Sequence, residues 1–260
     1  MSFREVADGV FVRRHQSLDL NCGLVVGDGA CLVVDTRSDL GEAADLAAAV
    51  RRVTAHPWTV VNTHAHYDHC FGNAAFRPAP IWGTRGCAQA VGTTGEAQRA
   101  ARVGELLAAG DPEAADRVRR APLDPPDALV DEVAVLDVGG REVVLRFLGR
   151  GHTGHDLVVE VETAGDGNVV FAGDLVEEGA PPAFEDAFPA DWPATLGRLH
   201  ALARGPVVPG HGAVVDAAFV GAQRADLLAV LAAVRAGRLA EGPYDEATMT
   251  LAARRAGVAG

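Results

Sequence analysis

A chain of 260 residues, 48% hydrophobic and 22% charged, can bury a sizeable core and has globular rather than disordered composition. Its net charge of −12 sets 35 acidic residues against 23 basic ones, all arginine; lysine Schiff-base and lysine general-base chemistry are excluded, and an acidic surface without a basic stripe argues against a nucleic-acid partner. No apolar run approaches the roughly 18 residues of a membrane span, and the N-terminal stretch, with Glu5 and Asp8, lacks a secretory pattern, so the expectation is one soluble, cytoplasmic domain over 1–260 with no membrane partner.

In chain order, the β-rich runs Val10-Phe11-Val12, Leu24-Val25-Val26 and Cys31-Leu32-Val33-Val34, the last two separated by Gly27-Asp28-Gly29, predict an N-terminal meander. Leu40, Ala43, Ala44, Ala47 and Val50 share one helical face within residues 39–54, Pro57 closes that element, and Thr59-Val60-Val61 follows as a strand. A short strand is expected at Ile81-Trp82, then a helical insertion at about 84–120 broken at Gly110-Asp111-Pro112, then a loop over 121–128. Val133–Leu136 and Val143–Phe147 read as a hairpin about Gly139-Gly140, and Leu157–Val161 and Val169–Phe171 as strands joined across Gly165-Asp166-Gly167. Helical periodicity returns at Trp192, Leu196 and Leu199, and the last helix is expected at roughly 216–236. Strands then helix, repeated once, predict an α/β fold: a four-layer αβ/βα sandwich of two mixed β-sheets with outer helices.

The chemistry concentrates in Thr63-His64-Ala65-His66-Tyr67-Asp68-His69, directly after an apolar strand and holding three of the nine histidines. Residues two apart in extended chain face the same side, so His64 and His66 can grip one ion; if the chain then turns, Asp68 and His69 can face another. Three later residues stand in Gly-bounded turns at strand ends: His152 in Gly151-His152-Thr153, Asp174 after Gly173, and His211 in Pro209-Gly210-His211-Gly212. The four cysteines show no metal-ligand or disulfide spacing, and Cys70, beside the histidine cluster, reads as a small packed residue.

The order HAHYDH, GHTGHD, GD, PGHG resembles the metallo-β-lactamase superfamily. The resemblance implies that His64, His66 and His152 hold one metal, that Asp68, His69 and His211 hold a second, and that Asp174 bridges them, with two zinc ions per chain and iron or manganese as alternatives. It implies that Asp35, ending the strand Leu32-Val33-Val34, orients the metal-binding turn, and it leaves His155 and Asp156 outside the ligand set. The activity implied is hydrolysis of a carbonyl compound (ester, lactone, thioester or amide) by a metal-bridging hydroxide, with Asp68 orienting the nucleophile and passing a proton to the leaving atom.

Substrate choice is less determined. The position that carries Cys in many zinc β-lactamases is Asp174 here, as in glyoxalase II and metallo-lactonases, and Glu177 stands where many of them use Lys to bind a carboxylate. Arg150 is the nearest candidate anion contact, and the insertion together with a loop over 176–190, with Pro181-Pro182 and Phe184, is expected to shape a mouth for a neutral small molecule. Competing readings are a β-lactamase, a mononuclear iron dioxygenase and a non-catalytic metal-binding sensor; a flavodoxin-fused electron carrier would need a further domain of about 150 residues. The sequence does not specify the oligomeric state.

Overall fold

The computed structural model describes residues 2–165 and 167–257; Asp166, in the turn expected between two of the strands, lies outside them. The first sheet has seven strands in sequential order: β1 (Arg4–Ala7), β2 (Val10–Arg14), β3 (Asn21–Val26), β4 (Cys31–Val34), β5 (Trp58–Val61), β6 (Ile81–Thr84) and β7 (Ala128–Val130). Its first four form the antiparallel meander, and β4 to β7 run parallel. The second sheet contains β8 (Val133–Asp137), β9 (Glu142–Phe147), β10 (Leu157–Glu162), β11 (Asn168–Glu177) and β12 (Val207–His211). It is antiparallel except for the β11–β12 pair.

Period-two alternation sorts the side chains into layers. Leu32 and Val34 of β4 join Val159 and Val161 of β10 in the core between the sheets. Cys31 and Val33 face the opposite way, onto Leu46 and Val50 of α1 (Leu40–Val53). Across the second sheet, Val158 and Val170 pack on Trp192, Leu196 and Leu199 of α5 (Trp192–Leu202) and on Leu227 and Val230 of α6 (Ala217–Arg235). Helix, sheet, sheet, helix: the four-layer α/β sandwich is the observed architecture. Between these come a one-turn helix, α2 (Tyr67–Cys70), and the insertion helices α3 (Arg85–Ala108) and α4 (Pro112–Arg120).

Three features depart from the sequence expectations. The helix over Ala217–Arg235 is not the last, because α7 (Glu246–Arg255) comes after it, started by the Asp245 side chain on Thr248 N. The strands β1 and β7 occupy the two edges of the first sheet, where segments of four and three residues complete a ladder but are too short to display a pattern of their own. And α6 has the length and mean hydropathy, 1.5, of a membrane span, yet Val220, Leu227, Val230 and Val234 are spent on the core.

The strand ends position the polar groups. Asp35 leaves the end of β4 and the histidine cluster the end of β5, while His211 ends β12 and bridges to Leu20, the residue before β3. Functional groups therefore gather at one end of the sandwich, at the carboxyl ends of parallel strands, the usual location for ligand sites in such sheets.

Candidate metal centre

Two clusters of donor atoms converge there: His64, His66, His152 and Asp174 in one, and Asp68, His69 and His211 in the other, the atoms of each lying within 4.8 Å of one another. In the first, His66 Nδ1 is 3.1 Å from His64 Nε2 and 2.9 Å from His152 Nε2. In the second, Asp68 Oδ2 is 3.7 Å from His69 Nε2 and 3.5 Å from His211 Nε2. Asp174 reaches both, with Oδ2 3.5 Å from His152 Nε2 and 3.3 Å from His211 Nε2, and Oδ1 3.2 Å from His69 Nε2.

The local chain path explains the convergence. After β5 the backbone bends over residues 63–65, is extended at His66 and then winds into the single turn of α2, so the four residues divide between the clusters. Asp35 anchors this path, accepting from Thr63 N, Thr63 Oγ1 and His69 Nδ1, each at 2.8 Å. It does so at a φ of +63°, a left-handed conformation costly for a residue with a Cβ but tolerated by Asp. His152 stands in the turn between β9 and β10, closed by Asp156, which accepts from Thr153 N at 2.8 Å and Thr153 Oγ1 at 2.6 Å. Asp174 follows Gly173, whose φ is +53°, where β11 shifts register against β12.

Each imidazole meets a different group with its outward nitrogen. His64 Nδ1 donates to Thr63 Oγ1 at 3.0 Å, since that hydroxyl's own proton is committed to Asp35. His69 Nδ1 meets Asp35, and His211 Nδ1 donates to the Leu18 carbonyl at 2.7 Å. His66 Nε2 faces Asp186 Oδ2 at 3.2 Å, and His152 Nδ1 faces Glu177 Oε1 at 3.7 Å. Outward partners of this kind fix the tautomer and aim of metal-binding histidines.

The donor set fits metal ions better than it fits itself. His66 Nδ1 meets two ring nitrogens and has at most one proton to share between them, and buried Asp174 Oδ1 has no aligned hydrogen-bond donor. Ligands about 2.0–2.1 Å from a tetrahedral zinc lie about 3.3 Å apart, and the donor separations of 2.9–3.7 Å bracket that spacing. Burial and then His69 hold His64 well below its ordinary pKa, and burial lowers His152 to about 4. Burial opposes charge on His211 too, but Asp174 overrides it and lifts the ring to about 10. Against its own burial, Asp174 is held well below the carboxylate range by His211, His69 and His64.

Several residues stand elsewhere than the sequence suggests. Glu177 does not reach the mouth: it lies within β11, 8% exposed, behind His152, and burial and Asp174 push its carboxyl up to about 8. Arg150 turns away to pair with Asp191 at 2.6 Å and to cover the Phe188 ring at 4.5 Å. Phe184 is buried against Trp192 and lines no mouth. Of the insertion, α3 lies beside the metal-binding turn, its Gln98 accepting from Tyr67 N and donating to Ala65 O, while α4 reaches back to α1 through Arg117 and Asp39. Nothing in the sequence marks Asp186; it sits in an irregular segment twelve residues beyond Asp174, and no spacing rule points to it.

Residues 18–211 match the family described as the metallo-beta-lactamase superfamily. No curated protein matches the chain. Among solved structures, a metallo-beta-lactamase from Pontibacter korlensis superposes with a TM-score of 0.65 at 19% identity, covering 87% of this chain and 98% of that one. FIM-1 from Pseudomonas aeruginosa, in a mono-zinc form, gives 0.62 at 18% identity over 86% and 93%, and DIM-1 gives 0.62 at 17% over 86% and 96%. At these identities the likeness is one of fold.

Proposed function

The chain belongs to the metallo-β-lactamase superfamily, and on that premise we propose that it is a binuclear metal-dependent hydrolase acting on a neutral ester, lactone, thioester or amide. The observation that carries this reading is the position of Asp174, within 3.7 Å of nitrogen donors from both clusters. Two ions bound there, most simply zinc, would supply Lewis acidity to a carbonyl and make water nucleophilic near neutral pH. His64, His66 and His152 would hold one, Asp68, His69 and His211 the other, and Asp174 would serve both.

The chain's own groups do the rest. Asp68 presents its carboxylate between His69 and His211, where it can take a proton from the attacking water and return it to the leaving atom. At the mouth, Asp186 is half-exposed, 52% at the side chain, and sets a negative charge in the path of an anionic substrate, which would be repelled. Leu18, exposed beside His211, offers apolar contact instead. Neutral acyl compounds suit that rim better than carboxylate-bearing β-lactams.

Zinc-loaded protein assayed for metal content and offered nitrocefin, an acyl-lactone, a thioester and a phosphodiester tests the reading. Two metal ions per chain with turnover of the lactone or thioester is the expected result, and His66→Ala is expected to lose most metal and activity. A single iron per chain with oxygen consumption would replace the proposal by a dioxygenase, nitrocefin as best substrate by a β-lactamase, and metal binding without turnover of any of the four by a sensor.

A further inference from the structure

Four of the five histidines in the two clusters turn Nε2 inward; His66 alone turns Nδ1 inward, leaving Nε2 facing out. Its side chain is 22% exposed. His64 and His69 find their outward partners in Thr63 and Asp35 at the ends of the neighbouring strands, and His211 finds the Leu18 carbonyl; the partner of His66 is the side chain of Asp186, from the irregular segment between β11 and α5.

That segment is tied down from two sides. Arg255, at the end of α7, donates from Nη2 to Asp186 O at 2.7 Å and from Nε to Ala187 O at 3.1 Å. Phe188 N donates to Gly151 O at 2.8 Å, joining the segment to the turn that carries His152. The Phe188 ring lies between two guanidiniums, Arg150 at 4.5 Å and Arg255 at 5.9 Å. Fixing two successive carbonyls restrains the backbone from which the Asp186 side chain reaches His66. Arg255 also lies beyond the residues matched to the superfamily, 18–211.

We propose that Asp186 is a positioning residue that holds the His66 ring with Nδ1 turned to the metal, and that Arg255 makes the C-terminal helix part of that support. The inference rests on the metal-binding reading. An outward N–H given to a carboxylate raises the basicity of a ligand imidazole and removes its rotational freedom, and loss of such a partner typically costs about 10–100-fold in metal affinity.

Histidine-labelled protein, ¹⁵N in the rings, separates this role from general stabilisation when it is loaded with zinc and studied by NMR alongside competitive chelator titration. Among the five ligand rings the wild type is expected to show one Nε2–H, from His66, with the other four protonated at Nδ1. Asp186→Ala is expected to lose that signal and to weaken one of the two metal sites by about 10–100-fold, with the Nδ1–H signals of the other four rings persisting as proof of folding. Asp186→Asn, which keeps an acceptor oxygen, is expected to recover most of the affinity, and Arg255→Ala to fall between wild type and Asp186→Ala. An unchanged Nε2–H and unchanged affinity in Asp186→Ala would overturn the role of Asp186 and leave the binuclear reading standing. The same pair of results in Arg255→Ala would overturn the part given to α7. A wild type that binds no metal would overturn both the inference and the function on which it rests.

Discussion

The α-carbon of Gly210 lies so close to Asp174 that a Cβ built on it would overlap Asp174 Oδ1. The carboxylate shared by both donor clusters thus occupies the space that any side chain at position 210 would need, and β12 approaches β11 closely enough to deliver His211 because residue 210 has no side chain to compete for it. Gly210→Ala must either turn Asp174 away from one cluster or push β12 back. Overpacking of this kind costs about 1–3 kcal/mol. The expected outcome is a lower urea midpoint together with loss of bound metal, measured by denaturation and by metal analysis of the same preparation. Full metal content in a stable variant would mean that Asp174 is not confined as described.

Asp35 supports the same centre from below, and its three interactions have unequal substitutes. Asp35→Ala leaves Thr63 N–H and His69 Nδ1–H buried without partners, at a cost of about 1–3 kcal/mol for each. Asn tolerates the left-handed backbone, but its amide nitrogen turns a donor toward a donor, so it replaces only part of the set. The expected order of stability and of metal retention is Asp35, Asn, Ala, read from urea denaturation and chelator competition. Equal values for the two variants would count against the hydrogen bonds as the origin of the effect.

How much of this centre the sequence displayed depends on how local each contact is. His64, His66, Asp68 and His69 fall within six residues, and strand alternation followed by a turn sorts them in advance. Glu177 illustrates the limit: its place in the chain was clear, but the register shift of β11 against β12 and the burial of that whole strand put it behind His152 instead of at the mouth. Arg150 was legible as a cation near the site, but not its capture by Asp191 and Phe188, which come from another loop. Asp186 and Arg255 act through contacts across 120 and 69 residues, with no periodicity or motif to announce them. The layers of the fold were readable because short apolar runs, buried on both faces, recur in the central strands; the edge strands and α7 carry too few buried residues to repeat anything.

His15 gives a stability handle away from the metal. It is 8% exposed, its Nε2 has no hydrogen-bond partner, and burial, then Arg37 and Arg13, lower its pKa to about 3. The unfolded chain takes up a proton near pH 6.5 that the folded chain refuses until about pH 3, so the unfolded state binds more protons throughout that window. Stability due to His15 is therefore complete above pH 6.5 and falls as the pH drops toward 3, by up to about 1.4 kcal/mol per pH unit. His15→Gln, which cannot titrate, is expected to flatten that part of the acid limb in denaturation curves from pH 7 to 4. An unaltered slope would locate the acid sensitivity elsewhere.

All four cysteines are buried and free, and burial raises their thiols, Cys31 to about 11 and Cys22 to about 12. Cys70 packs with Phe71, Cys87 and Val91, the small apolar role its position suggested, and its thiol too is raised by burial. Since the thiolate is the reactive form, the folded protein at pH 8 is expected to resist iodoacetamide, with four adducts per chain appearing only in denaturant. Rapid labelling of Cys70 in the folded protein would instead point to a thiol open to the metal-binding turn.

Protons report on the metal site itself. Without metal, Asp174 and the rings around it balance charge internally: despite their burial, Asp174 above all raises both His69 and His211, the latter to about 10. At neutral pH both rings therefore carry a proton, and Nε2 of each can accept a metal only after that proton leaves. Binding to the cluster of Asp68, His69 and His211 is expected to release protons, so its affinity rises with pH toward about 10 and weakens as the pH falls. The first cluster behaves differently, because His64 and His152 are already neutral, lowered by burial, and His66, raised through Asp186 against its own burial, is the ring there that must lose a proton. Calorimetric titration of the metal-free protein with zinc in buffers of different ionisation enthalpy measures the release directly. Two binding events are expected, the more pH-sensitive one abolished by His211→Ala, and two events with equal proton release would refute the division of charge between the clusters.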